Sequence, residues 1–350
     1  MSQGPPSMFQ PLLDRLGSDP RRYFGSDAVS FDALAVHVRR GSHLLHARVR
    51  TSDEEYGAFL KIYKRADDHP DTLSRLEARV NRDYATTLNI HRAFHQDTSL
   101  GAVYPIAVFP EHLAIMTREA AGLPLGRTIE ERVRWRRTAS GIEDLLRTLH
   151  DTGRWLARFQ TIGRCADLAP LRLDDVLEYV DVRLHKLLRA QAISAADRTA
   201  VRTGIEHRWP DISPGELVAV PIHADYCLGN VLVDGRRVVV LDFAMTRTGA
   251  IYHDLSHMFL QLQLMQSKPW FRPPVVNRLC GALLDGFSPT VRAEAPLFQV
   301  LMIQHVVNHL TKLTIRPARR AIARPYNWLV RRRHLSWLRD SGCLDARRTA

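Results

Sequence analysis

The sequence has 350 residues, of which 45% are hydrophobic and 25% are charged, and its net charge is +12. A chain of this length and apolar content is long enough for two packed units and too apolar for wholesale disorder. Its four cysteines (Cys165, Cys227, Cys280 and Cys343) are far apart and form no C-x-x-C pair. This spacing argues against a disulfide scaffold or a structural zinc site, and it favours a reducing compartment.

Most of the excess positive charge lies near the C-terminal end. Residues 311–350 contain 11 of the 49 basic residues but only two of the 37 acidic ones. A nucleic-acid-binding protein would spread its charge over the main fold, so we expect no nucleic-acid partner. The mixture of arginines and aromatic residues in this segment allows two interpretations. It either docks on the rest of the protein or contacts a membrane surface or a lipid-linked substrate.

The N-terminal part of the chain has the pattern of strands interrupted by one helix. Alternating or β-branched stretches predict strands over 33–38, 44–51, 58–64, 101–109 and 112–117. Apolar residues at three- and four-residue steps predict a helix that begins near Asp71. We therefore expect a first unit over residues 1–118, built from antiparallel strands and one helix.

The remainder of the chain has mostly helical periodicity. Helices are predicted over 145–159, 174–191 and 296–313, and a strand-rich island lies over 217–243. Within the island, Asp234-Gly235 is a strong two-residue hairpin signal. This pattern predicts an α+β fold with a mostly helical unit over 119–310 and a basic segment over 311–350. No signal peptide or membrane-spanning run is evident, so we expect a cytoplasmic protein, with peripheral attachment to the inner face of the membrane as an alternative.

The hairpin island contains the residues best suited to chemistry. Asn230 begins the first strand of the hairpin and Asp242 follows the second, so the turn brings both side chains to one end. Oxygen ligands of this type suit Mg²⁺ in the company of phosphate groups. Asp225 precedes Asn230 by five residues and is available to orient a substrate hydroxyl and accept its proton.

The pattern His223-x-Asp225-x₄-Asn230, followed by a hairpin and Val-Leu-Asp242-Phe, resembles the aminoglycoside phosphotransferase/choline kinase family. The resemblance extends over about residues 30–310 and implies a protein kinase-like fold, with a small β lobe and a larger helical lobe. It implies ATP and Mg²⁺ as cofactors, Asp225 as the catalytic base, and Asn230 and Asp242 as the metal ligands. His223 and Asp254 would support the catalytic loop. The chain departs from the family pattern at Ala224, where glycine is usual, and in having Asp-Phe-Ala instead of the Asp-Phe-Gly of protein kinases.

The strand-rich N-terminal part would bind the nucleotide. Lys61 resembles the third-strand lysine that contacts the α- and β-phosphates, and its acidic partner on the following helix is either Glu77 or Asp83. The turn over residues 39–43 would cover the phosphates, with Ser42 as a hydrogen-bond donor. Residues 116–119 resemble the connector whose backbone binds adenine.

Together these observations predict ATP- and Mg²⁺-dependent phosphate transfer to a hydroxyl group of a small molecule. Because a basic C-terminal segment would repel polycations, we expect a neutral or anionic sugar or polyol, including a lipid- or glycan-linked one. An aminoglycoside or choline-type kinase is the alternative. From other classes, a non-catalytic nucleotide-binding scaffold and a basic protein that binds membrane surfaces remain open. The histidine pairs 253/257 and 305/309 lack the Glu of a zinc protease motif, so we interpret them as structural.

Overall fold

A computed structural model describes residues 7–65, 69–135, 138–162, 169–315 and 324–343 of the chain. Cys165 and the parts of the basic segment at 316–323 and 344–350 lie outside these ranges. The chain divides into two compact units, of which the first comprises Met1–Leu123 and Asn230–Thr246. The second comprises Pro124–Gly229 and Arg247–Ala350.

The secondary structure is mixed, which confirms the predicted α+β class. The helices are α1 (Gln10–Ser18), α2 (Pro20–Phe24), α3 (Pro70–Ala93), α4 (Leu125–Glu130), α5 (Ala139–Phe159), α6 (Leu173–Arg189), α7 (Ala195–Arg208), α8 (His253–Met265), α9 (Pro273–Phe287), α10 (Pro296–Ile315) and α11 (Arg324–Asp340). The strands are β1 (Val29–Val38), β2 (Ser42–Thr51), β3 (Glu55–Tyr63), β4 (Leu100–Ala102), β5 (Pro105–Phe109), β6 (Ala114–Arg118), β7 (Leu123–Pro124), β8 (Ala219–Ile222), β9 (Val231–Asp234), β10 (Arg237–Val240) and β11 (Arg247–Ala250). No helix in the described ranges is long and apolar enough to cross a membrane.

The first unit is built on a five-stranded antiparallel sheet in the order β1-β2-β3-β6-β5. Residues of β2 and β3 alternate between a buried and a more open face, as the period of a strand requires. The buried face packs against α1, whose leucines Leu12, Leu13 and Leu16 join the core around Leu45 and Leu60. The opposite face of the sheet carries Lys61, whose contacts are described below.

The N-terminal helices α1 and α2 were not among the predicted elements. Their signal is present in the sequence, because Leu12, Leu13 and Leu16 recur at helical spacing and Pro11 lies in the first turn of α1. The predicted strand over 101–109 is also two strands. β4 pairs in parallel with β10, whereas β5 pairs with β6, and the break falls just before Pro105, which has no N–H to donate.

The predicted hairpin is present as β9 and β10, with Asp234 opposite Arg237 and Gly235 at φ 58° in the turn. Glycine adopts this left-handed conformation without strain, which explains the turn sequence. The hairpin belongs to a second sheet in the order β4-β10-β9-β7. Strands far apart in the chain thus meet in the first unit.

Most of the second unit is helical, and its helices α5 and α9 approach each other very closely. Two glycines make this approach possible, one on each helix. A Cβ atom at Gly153 would lie 2.2 Å from the carbonyl oxygen of Leu283, and one at Gly286 would lie 1.9 Å from that of His150. Neither collision involves a flexible side chain, so backbone would have to move.

We therefore expect Gly286→Ala to lower the free energy of unfolding by about 3 kcal/mol, at the upper end of typical overpacking penalties. Gly281 lies on the same helix with no atom near its missing Cβ. Gly281→Ala should leave stability unchanged or raise it by about 1 kcal/mol through helix propensity. Urea unfolding of both variants measures the difference, and equal midpoints would contradict the close helix approach.

The described part of the basic segment docks on the second unit. Val330, His334 and Leu338 form one buried stripe along α11, and the Nε2 atom of His334 lies 2.9 Å from Nδ1 of His309 in α10. Beyond the helix, the Arg208 guanidinium donates to the carbonyl oxygen of Ser341 at 2.5 Å. Docking is thus the interpretation that the structure supports for residues 324–343.

The buried histidines make this arrangement sensitive to acid. Burial lowers the pKa of His309 to about 4 and that of His334 to about 3, from an ordinary value of 6.5. Between pH 6.5 and about 4, the unfolded chain therefore binds protons that the folded chain does not, so stability falls as the pH falls. Both histidines contribute to this loss, which together is on the order of several kcal/mol.

We expect His334→Gln, which cannot titrate, to lose less stability than the parent protein between pH 6.5 and 4. Urea unfolding at a series of pH values measures this. His185→Gln, at an exposed position of α6, is the matched control and should reproduce the parent profile. A parent-like profile for His334→Gln would show that this histidine is not the source of the acid sensitivity.

Candidate active site

Lys61 and Asp242 meet within the first unit. The Lys61 side chain projects from β3, and its Nζ donates to Oδ1 of Asp242 at 2.9 Å. Asp242 follows β10 and has φ 63°, a left-handed conformation that few residues other than glycine adopt, although Asp does so more readily than most. The pair brings together two residues that are 181 positions apart in the sequence.

Asn230 and Asp242 flank the same hairpin end. The backbone N–H of Leu241 donates to the carbonyl oxygen of Asn230 at 2.9 Å, which ties the two strand ends together. Both side chains offer the oxygen atoms that Mg²⁺ prefers. In the described ranges, no cluster of three or more His, Cys, Asp or Glu residues could hold a metal by itself. The amide and carboxylate oxygens at the hairpin end would suit a divalent cation that takes its remaining ligands from phosphate oxygens and water.

The two acids considered as partners of Lys61 have different surroundings. Asp83 on α3 is buried, with 3% of its surface exposed, and accepts a hydrogen bond from the Tyr63 hydroxyl at 2.5 Å. Burial raises the pKa of Asp83, and the Tyr63 hydrogen bond and the charge of Lys61 oppose this rise. Glu77 is only half-buried. Among the described residues, Lys61 forms an ion pair with Asp242 and not with Asp83 or Glu77.

Ser42 lies at the start of β2, opposite Tyr63, and is buried. The turn before it is closed by its own backbone, because Arg39 N–H donates to the Ser42 carbonyl at 2.9 Å. Lys64 N–H also donates to the Gly41 carbonyl at 2.9 Å. The turn is therefore firmly attached to β3, the strand that carries Lys61.

The connector residues lie at the end of β6. Met116 is buried in the sheet, and the backbone N–H of Glu119 donates to the carbonyl oxygen of Gly57 at 2.8 Å. The Glu119 carboxylate lies 2.9 Å from Nε2 of His46, whose ring stacks on Phe59 at 4.5 Å. His46 and Phe59 lie on the same face of the sheet as Lys61, since they are opposite each other in register.

In the second unit, Asp254 holds the segment that contains Asp225. Its fully buried carboxylate accepts hydrogen bonds from the backbone N–H groups of His223, at 2.6 Å, and Ala224, at 2.9 Å. Burial by itself would raise the pKa of Asp254, but the hydrogen bonds and the neighbouring histidines His253 and His223 outweigh it and lower the pKa. The carboxylate is thus stabilised in its charged form.

The same contact explains the conformation of Ala224. This residue has φ 61°, which is strained for a residue with a Cβ atom. Its N–H is directed at Oδ1 of Asp254 in that conformation. Alanine is therefore accommodated at this position at the expense of local strain.

Asp225 itself is half-buried, and its neighbours are firmly held. Its backbone N–H lies 3.3 Å from Nδ1 of the buried His223. The next residue, Tyr226, stacks on Trp155 and donates its hydroxyl to the Thr152 carbonyl at 2.8 Å. Further along, Leu228 N–H donates to Oε1 of Gln261 at 3.1 Å.

Sequence reasoning missed the contributions of Tyr63, Tyr226 and Gln261. For Tyr63 a signal was available, because it lies two residues after Lys61 and therefore on the same face of β3. Tyr226 and Gln261 contact groups 74 and 33 residues away, and a single sequence carries no local signal for such pairs.

The histidine pairs are located inside the helical unit. His305 Nε2 lies 2.9 Å from the His253 carbonyl oxygen, and the rings of His257 and His305 are 5.1 Å apart. Burial lowers the pKa of His257 to about 4 and holds that of His305 well below its ordinary value. Both rings are therefore neutral at physiological pH.

Solved structures with the same fold cover almost the whole chain. A protein from Ralstonia eutropha, provisionally described as an aminoglycoside phosphotransferase, has a TM-score of 0.59 at 12% identity, with 94% of this chain and 96% of that chain covered. Choline kinase from Cryptosporidium parvum has a TM-score of 0.54 at 12% identity, covering 96% and 98%. A glucosamine kinase in complex with glucosamine, ADP and inorganic phosphate has a TM-score of 0.53 at 14% identity, covering 96% and 100%.

At these identities the likeness shows the fold alone. None of the curated proteins matches the sequence. The family model described as the phosphotransferase enzyme family matches residues 38–295, and the chain therefore belongs to that family. This confirms the predicted family and the prediction of a phosphotransferase.

Proposed function

We propose that the protein transfers the γ-phosphoryl group of ATP, with Mg²⁺, to a hydroxyl group of a neutral or anionic sugar or polyol. The observation that carries the proposal is the 2.9 Å pair between Lys61 and Asp242, located beside Asn230 in the first unit. One cation and two oxygen ligands at one end of the hairpin are the kinds of group that would bind a triphosphate and its metal, which supports the proposal. Membership of the phosphotransferase family supports the reaction class.

Each residue has a distinct role in the proposal. Lys61 would bind phosphate oxygens, with Ser42 and the backbone of its turn contacting the same group. Asn230 and Asp242 would hold Mg²⁺, which supplies neutralisation of the phosphate charge when bound. His223 and Asp254 would fix the backbone at Asp225.

Asp225 would act on the acceptor. In the transfer step, the acceptor oxygen bonds to the γ-phosphorus while the bond from that phosphorus to the β,γ-bridging oxygen breaks, and ADP leaves. The hydroxyl proton passes to the Asp225 carboxylate. Catalysis of this type depends mainly on positioning and on stabilisation of charge, which rigid attachment of the loop would provide.

Charge is the argument for a neutral or anionic acceptor. Helix α11 packs on the same unit that contains Asp225, so its arginines add positive charge to that unit. A polycationic acceptor needs carboxylates to pair with its ammonium groups, and an excess of arginine opposes its approach. The complex of the glucosamine kinase holds an amino sugar and ADP, which is consistent with a sugar as acceptor and does not bear on the charge argument.

A panel of acceptors tests the proposal. ADP formation from MgATP would be measured with neutral sugars, sugar acids, polyols, aminoglycosides and choline, with GTP in parallel. We expect acceptor-dependent turnover with a neutral or anionic member of the panel. Turnover confined to aminoglycosides or choline would replace our acceptor class with the alternative, and no turnover with any acceptor would favour the nucleotide-binding scaffold.

The role of the basic segment is a separate question from the phosphate transfer. Contact of the segment 311–350 with a membrane surface or a lipid-linked acceptor stays a prediction from its arginines and aromatic residues. Trp328 and Leu329 on α11 are exposed, with 60% and 41% of their surfaces accessible. Cosedimentation with vesicles of neutral or anionic lipid would test it, and binding independent of anionic lipid would count against it.

A further inference from the structure

Tyr63 lies beside Lys61 on the open face of β3. The two residues are separated by one position and so point to the same side of the sheet. The Lys61 Nζ is 4.6 Å from the centre of the Tyr63 ring, within the range of a cation–π interaction. The Arg79 guanidinium of α3 lies 5.3 Å from the same ring.

The tyrosine is held from the side of α3. Its hydroxyl donates to Oδ2 of the buried Asp83 at 2.5 Å, and Thr87 donates to the backbone carbonyl of Asp83 at 2.6 Å. The ring packs with the buried side chains of Val80 in α3, Leu113 and Ile115 around β6, and Ala244. Its position is therefore determined at both ends of the side chain.

Ala244 follows Asp242 by two residues. The short helical turn that contains Ala244 also packs on α3. The buried cluster around the Tyr63 ring thus includes residues of α3, which carries Asp83, and of the turn that follows Asp242.

We propose that Tyr63 is a positioning residue for Lys61. In this proposal Asp83 forms no direct ion pair with Lys61 and instead acts on the lysine by holding the Tyr63 hydroxyl. The inference rests on the proposed role of Lys61 in phosphate binding. It explains why the buried acid of α3 contacts a tyrosine while the lysine pairs with Asp242.

The contact with the Tyr63 ring would keep Lys61 in place when its partner changes from Asp242 to phosphate oxygens. A metal ion at Asp242 would compete with Lys61 for the same carboxylate. The ring face attracts the ammonium group without using any of its three N–H donors, so those donors stay available for phosphate oxygens. A direct ion pair with Asp83 would use at least one of them.

A double-mutant cycle on MgATP binding tests the proposal. Tyr63→Leu should raise the dissociation constant of MgATP about tenfold, and Tyr63→Phe, which keeps the ring but loses its anchor, about threefold. In a Lys61→Met background, Tyr63→Leu should have no further effect, because the group that it positions is absent. Isothermal titration calorimetry of the full chain measures all four proteins.

Tyr23→Leu is the matched control, since it removes another ring of the first unit together with its cation–π contact to Arg22. It should leave the dissociation constant unchanged, and the melting temperature without nucleotide records any loss of stability. If Tyr63→Leu weakened binding equally with and without Lys61, the positioning role would be refuted. If Lys61→Met itself had no effect on binding or turnover, the phosphate-binding role under the proposed function would fail, and the positioning role with it.

A second pair of variants covers the case in which Tyr63→Leu does not fold. Tyr63→Phe and Asp83→Ala each remove one end of the same hydrogen bond. Each should weaken MgATP binding by a similar factor, and the double variant should be no weaker than either. Factors that multiply in the double variant would refute the link from Asp83 to Lys61 through the hydroxyl.

Discussion

Asp225→Asn is expected to lower kcat for acceptor-dependent ADP formation by about a thousandfold, within the range known for loss of a general base. The amide keeps the shape of the side chain but does not accept the proton of the acceptor hydroxyl. The dissociation constant of MgATP should change less than about threefold, because the proposed nucleotide contacts come from Lys61, Asn230 and Asp242. Steady-state turnover and calorimetric titration of the variant measure the two quantities.

Asp175→Asn is the matched control for this experiment. Asp175 is an exposed aspartate on α6 of the same unit, so its neutralisation changes the net charge equally without touching the loop. Its kcat should equal that of the parent protein. Parent-like turnover in Asp225→Asn would refute the assignment of the base and would require another acceptor of the proton.

Asp254→Asn should destabilise the protein by about 3 kcal/mol and lower kcat at least tenfold. In the parent protein two backbone N–H groups donate to the two oxygens of this buried carboxylate. The amide offers one oxygen and one NH₂ group, so one backbone donor would face another donor inside the protein. Urea unfolding and turnover are the measurements.

Asp254 also makes the free energy of unfolding depend on pH, and its contribution decreases as the pH falls. Because its pKa is lowered on folding from an ordinary value of 3.8, its stabilising effect is complete above that value and is lost as the pH falls below it. In Asp254→Asn this contribution is absent, so the stability gap between the two proteins should narrow below about pH 3.8. A gap that stayed constant into that range would contradict a carboxylate held in its charged form.

Local patterns were sufficient to predict much of the architecture and the candidate residues. Asn230 and Asp242 belong to a hairpin with an Asp-Gly turn, and that turn alone places them at one end. Lys61 was singled out by its resemblance to the family's third-strand lysine, and its position between apolar neighbours in an alternating strand favoured that choice. Features of this kind extend over fewer than about fifteen residues, a range within which periodicity and turn chemistry act.

The contacts that hold these residues depend on the tertiary fold and could not be predicted. Asp83 meets Tyr63 only because α3 packs on β5, β6 and the turn after Asp242, and the sequence left the choice between Asp83 and Glu77 open. Asp254 reaches the backbone of His223 over 31 positions. The split of the predicted strand 101–109 has the same origin, since β4 exists as a separate strand through its pairing with β10.

The first unit is built from two separate parts of the sequence, so it cannot complete its fold until residues 230–246 have been synthesised. Strand β4, with every residue buried, pairs with β10, which the ribosome adds more than one hundred positions later. At about 5–20 residues per second, several seconds separate the emergence of the two strands. During that interval the backbone edge of β4 that later pairs with β10 has no native partner, so a nascent chain paused before residue 237 is expected to be the species that most needs a chaperone.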